Sequence, residues 1–120
     1  MSSSREHLLA RLTEMPVIDT HEHFTPELYM TGSDDFFTLL SPAAAEQFLA
    51  RALDTLDAHR LTWGCDTWTA EESYGALLAI RSVLTNVLAK RVVDGYYTLD
   101  YAKRVGRYIL HDNAEKIYGF

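Results

Sequence analysis

Two histidines one residue apart, His21 and His23, close the short run Val17-Ile18-Asp19-Thr20. In an extended strand residues i and i+2 point to the same face about 7 Å apart, so both imidazoles address one point in space. That geometry suits a metal ion. Imidazole is a ligand for Zn, Fe and Ni, and a catalytic centre needs a further anionic or imidazole ligand and an open position for water. The spacing alone is a weak signal, because two polar residues fraying into a loop give the same pattern. The context favours chemistry: Pro16 precedes a β-branched pair, and the polar residues begin where such a strand would end, the place where α/β folds put their sites.

Of the elements that must position these side chains, the first is a short helix that Ser3 and Glu6 open as a capping box, with Leu8, Leu9 and Leu12 on one stripe. Val17 to Thr20 reads as the first strand. Residues 24–40 read as a long connection with Pro26, Gly32, Asp34 and Asp35 as breakers. Its aromatic residues Phe24, Tyr29, Phe36 and Phe37 are read first as cover for a hydrophobic core, with a pocket wall beside the histidines as the alternative. Ser41-Pro42 starts a helix carrying Ala45, Phe48, Leu49, Ala52, Leu53 and Leu56 at helical spacing. Leu61-Thr62-Trp63-Gly64-Cys65 reads as a second buried strand that delivers Asp66 at its end. Thr69 and Glu72 cap a helix with Leu77, Ile80, Leu84, Val87 and Leu88 on one side, stopped by Asp94-Gly95. Leu99, Ala102, Val105 and Ile109 mark another helix, and Asp112 with Glu115 caps a last turn ending at Gly119. The expectation is an α/β chain, mostly helical, with about two short parallel strands whose polar ends bear His21, His23 and Asp66.

A chain of 120 residues with 48% hydrophobic content is the size of one domain, spanning residues 1–120. Its net charge of −6 and dispersed basic residues argue against a nucleic-acid or anionic-membrane surface, which leaves small molecules or protein partners. The lone cysteine, Cys65, cannot form an intrachain disulfide, and the first residues lead into an amphipathic stretch rather than an apolar leader; a reducing, cytoplasmic setting is expected. No apolar run approaches the length of a membrane span.

Three stretches resemble one family. Val17-Ile18-Asp19-Thr20-His21-Glu22-His23 resembles the first barrel strand of the amidohydrolase superfamily, in particular its amidohydrolase-related branch, to which uronate isomerases are distantly similar. Trp63-Gly64-Cys65-Asp66-Thr67-Trp68 resembles the eighth strand of that fold, and residues 109–119, Ile109 to Gly119, resemble its closing helix. The resemblance implies a remnant of a (β/α)₈ barrel without strands two to seven, since intact barrels need about 250 residues, with a seam near residues 41–46. It implies that His21 and His23 are metal ligands and that Asp66 is both a ligand and the catalytic base. One divalent ion, Zn before others, would lower the pKa of its water toward about 7 for attack on a C–N or C–O bond of a small-molecule substrate. Such a short chain is expected to be catalytically impaired and to form homo-oligomers. The alternative is a non-catalytic remnant that oligomerises or docks on a full-length relative. His7, His59 and His111 are read as helix-end or surface residues, Cys65 as a small buried hydrophobe, and Glu71 as first-turn charge complementing a helix dipole, with Trp68 and Glu71 as alternative pocket lining.

Overall fold

The computed structural model describes residues 2–20, 42–64 and 70–119. α1 (Ser2–Glu14) starts one residue before the expected cap, so Ser3 lies inside its first turn. It buries Leu8 and Leu12 fully and leaves Leu9 at the surface. α2 (Pro42–Thr55) has proline in its first position, where the fixed φ suits a helix and the missing N–H is no loss. It turns Ala45 and Leu53 inward and Phe48 outward. A 3₁₀ turn, Ala58–Arg60, follows, capped by the Asp57 carboxylate accepting from the His59 N–H at 3.0 Å.

α3 (Ala70–Val93) is the spine of the molecule. It packs on α1, on α2 and on α4 (Leu99–Arg107). Contact on several sides explains why its buried residues, Ala76, Ile80, Val83, Leu84, Thr85, Val87, Leu88 and Ala89, do not form one narrow stripe. The helix stops at Gly95, whose φ of +84° a side chain would resist. There the Gly95 N–H bonds to the Val92 carbonyl at 3.2 Å and the Tyr96 N–H to the Arg91 carbonyl at 2.9 Å, a Schellman closure. α4 opens on a cap that the sequence reading passed over, the Thr98 hydroxyl accepting from the Tyr101 N–H at 3.1 Å.

The chain does not break after α4. It widens into a π-helical turn, Tyr108–Asp112, and continues as α5 (Asn113–Tyr118), which Gly119 ends at a φ of +74°. Asp112 makes no capping bond, so the expected separate final turn is instead the end of one continuous helical run. The core is a single cluster from Leu8 to Leu110, with Leu84, Leu88, Val105 and Leu110 at or near zero exposure. Three polar links tie the helices around it. Arg81 donates to the Leu12 carbonyl at 3.1 Å, serving the C-terminal end of α1. Arg5 donates to the Asn86 side-chain oxygen at 2.9 Å, and the Asn86 amide donates to Glu46 at 2.8 Å. Arg91 donates to the Ala50 carbonyl at 2.9 Å and to Asp54 at 2.6 Å.

The α/β expectation is overturned. The described residues form helices and turns and contain no strand, so they are a compact helical globule and not a (β/α)₈ barrel remnant with two short parallel strands. Val17 to Thr20 and Leu61 to Gly64 lie beside each other, but among the described residues a single backbone hydrogen bond crosses between them, from the Thr20 N–H to the Trp63 carbonyl at 3.1 Å. A parallel ladder needs a succession of such bonds. The Ile18 N–H is spent on the Leu110 carbonyl at 2.8 Å instead. A two-stranded ribbon is marginal on its own, and here the helices already bury the apolar side chains that a sheet would have covered.

Candidate functional site

Among the described residues, three segments, 17–20, 58–64 and 108–113, meet in space through hydrogen bonds rather than a sheet. Thr20 addresses the Trp63 carbonyl twice, with its N–H at 3.1 Å and its hydroxyl at 2.9 Å. Ile18 is bonded to Leu110, inside the π-helical turn. That turn takes carbonyls out of the usual i→i−4 register, since the Asn113 N–H bonds to Tyr108, five residues back. Asn113 closes the set: buried at 4% exposure, its amide donates to the carbonyls of Ala58 and Leu61, both at 2.7 Å. A ring contact between His59 and Tyr108, centroids 4.2 Å apart, packs the same 3₁₀ turn on the helix end.

The expected metal ligands His21, His23 and Asp66, with Cys65 and Trp68, lie outside the described residues. What the structure places is the chain leading to them. Thr20 immediately precedes His21, and Trp63 stands three residues before Asp66. The Trp63 side chain is buried at 5% exposure, and its indole N–H has no hydrogen-bond partner among the described residues. Among the other expectations, His7 is exposed on α1, and Glu71 is exposed in the first turn of α3, where its charge complements the helix N-terminus. His59 is a surface residue held against Tyr108.

His111 is more than a surface residue. Its Nδ1 lies 2.8 Å from Asp112 Oδ1 and 3.4 Å from Glu115 Oε2, and the three potential ligand atoms fall within 4.8 Å of one another. The His-x-x-x-Glu spacing that places two of them on one helix face was visible in the sequence. The structure adds Arg107, whose Nε donates to both Asp112 oxygens at 3.0 and 3.1 Å. A cation is thus already seated on the carboxylate that a metal would use, and the arrangement is accounted for as an ion-pair network around the helix end. Asn113 was missed entirely, because nothing in a local pattern distinguishes an asparagine that bonds to carbonyls more than fifty residues away.

Apart from the junction, a groove of about 570 Å³ runs between α2 and α3, lined by Ala50, Val87, Glu46, Asn86, Arg91 and Tyr96 among others. Its charged groups are satisfied within the groove wall, Arg91 by Asp54 and Lys90 by Asp94 at 2.8 Å. No helix of the described residues is long and apolar enough to cross a membrane. No protein-family model, curated protein or solved structure matches the chain.

Proposed function

We propose that the chain is a divalent-metal-dependent hydrolase in which His21 and His23 hold one ion, Zn before others, and Asp66 completes the ligand set and accepts the proton of the attacking water. The observation that supports this reading is the double hydrogen bond from Thr20 to Trp63, which joins the segment leading to the histidines with the segment leading to Asp66. The chemistry fits the residue types. Neutral imidazoles bind the ion without cancelling its charge, and a carboxylate is the base matched to water whose pKa has fallen toward about 7. The substrate class is a small molecule with a hydrolysable C–N or C–O bond, in a cytoplasmic setting that keeps Cys65 reduced.

Elemental analysis tests it. Purified protein should carry about one Zn or comparable ion per chain, the His21→Ala, His23→Ala double variant should carry none, and hydrolysis of generic esters, lactones or amides, slight at most in so short a chain, should vanish in Asp66→Asn. A protein that takes up no metal on reconstitution defeats the proposal.

The second reading, a non-catalytic module that associates with further copies of itself, draws on exposed apolar residues. Tyr74 and Leu78, one turn apart on α3, are 63% and 50% exposed. It expects no metal and a dimer or larger species by light scattering.

A further inference from the structure

We propose that the groove between α2 and α3 binds a small amphiphilic amine, one ammonium group on an apolar body, and that the Glu46 carboxylate receives its charge. The site shares no residue with the hydrolase reading and does not depend on it. Glu46 is half-buried in the groove wall. Its hydrogen bond comes from a neutral donor, the Asn86 amide, 2.8 Å from Oε1, and Arg5 fixes that amide by donating to its oxygen at 2.9 Å. Among the described residues no cation forms an ion pair with Glu46. A carboxylate drawn partly out of water gains most from a counter-charge, and a ligand ammonium would supply it.

The other charges of the groove are already matched. Arg91 holds Asp54 at 2.6 Å and Lys90 holds Asp94 at 2.8 Å. Three carboxylates against two cations leave the groove one negative charge, and it sits at the Glu46 end. A monocation complements that charge; a second ammonium would meet Arg91 and Lys90, and an anion would meet Glu46. Ala50 and Val87 line the stretch between the ends and offer only apolar side chains. At the far end Tyr96, 78% exposed, presents a ring against which an apolar group can stack. Glu46 and Asp54 are eight residues apart on α2, so the ends lie about 12 Å apart at the helical rise of about 1.5 Å per residue. The volume of about 570 Å³ is that of a small-molecule pocket.

The probe is phenylbutylamine, titrated into the whole chain and followed by calorimetry and by amide NMR shifts. It should bind saturably and shift the amides of Glu46, Ala50, Val87 and Tyr96. Phenylbutanol, of similar shape without the charge, should bind about 10- to 100-fold more weakly, the loss expected for a charge-assisted bond. Glu46→Gln should weaken the amine by the same factor. Its side-chain oxygen still accepts from Asn86, so the far-ultraviolet circular dichroism should stay that of the wild type. Tyr96→Ala, which truncates an exposed ring, should weaken the amine several-fold, and Glu6→Gln, which removes an equal charge from the exposed side of α1, should leave it unchanged. The proposal is overturned by a folded Glu46→Gln protein with wild-type affinity, by phenylbutanol binding as tightly as the amine, or by no saturable binding at all. Spermidine binding more tightly than phenylbutylamine, or an equal loss in Glu6→Gln, would reveal a diffuse acidic surface and overturn it as well.

Discussion

Tyr97 shows how a single side chain carries the molecule's environment into its response to pH. Burial pushes its hydroxyl above the ordinary tyrosine value, and the Arg91 guanidinium 5.4 Å over its ring opposes part of that shift. The folded chain therefore holds this proton more tightly than the unfolded chain does. Stability from this source is complete below the unfolded tyrosine pKa of about 10 and is lost as pH rises through the higher folded value. Lys90 works in the same direction: its hydrogen bond to Asp94 and the charge of that carboxylate raise its pKa, and the pair dissolves only as pH passes the raised value. Urea midpoints should fall from about pH 10 upward, and Tyr97→Phe should make that fall shallower. Identical alkaline slopes for the wild type and Tyr97→Phe would contradict the burial argument.

At the scale of elements, α1 and α4 fit closely where they cross at Gly106. Gly106 is buried in α4, and a Cβ built there would run into Leu12 Cδ2 and lie 3.7 Å from Leu88 Cδ1. Leu12 and Leu88 are both fully buried, so neither has free space into which to swing. Gly106→Ala gains about 0.5–1 kcal/mol from helix propensity and loses about 1–3 kcal/mol to overpacking. The balance should be a destabilisation of about 1 kcal/mol, read as a lower urea midpoint at constant m-value. A stabilised variant would mean that α1 can withdraw from α4 at little cost. Beyond that crossing, the Ile18 N–H, past the end of α1, is bonded to the Leu110 carbonyl of the π-helical turn that follows α4, and so is not available to a strand partner.

For the whole molecule, stability is concentrated on α3, because among the described residues that helix packs on each of α1, α2 and α4. Leu84, fully buried at its middle, has no surface through which the surroundings could refill a vacancy. Leu84→Ala should cost about 2–5 kcal/mol, the range for truncating a buried leucine. Against a total of about 5–15 kcal/mol, chemical denaturation should then show a large part of the folded population lost at modest urea. A cost below about 1 kcal/mol would mean that the core around α3 is loosely packed.

Local information in the sequence determined the helices and most of their ends. Pro42 at a first helical turn, Gly95 after the last turn of α3 and Gly119 at the chain's close act through their own backbone preferences, which neighbours do not alter. The spacing of Leu84, Val87 and Leu88 likewise marked what would be buried. Tertiary structure decided the rest. The β-branched and aromatic residues of Val17-Ile18 and Leu61-Thr62-Trp63 have strand propensity, but that propensity is expressed only when neighbouring strands accept the backbone hydrogen bonds. Here the acceptors are a helix carbonyl at Leu110 and one carbonyl at Trp63, so the segments do not become a sheet. Asn113 gripping Ala58 and Leu61, Arg107 seated on Asp112, and Thr20 bound twice to Trp63 were likewise beyond the sequence pattern. Each joins groups whose proximity is set by how the helices pack, and packing is a property of the whole chain.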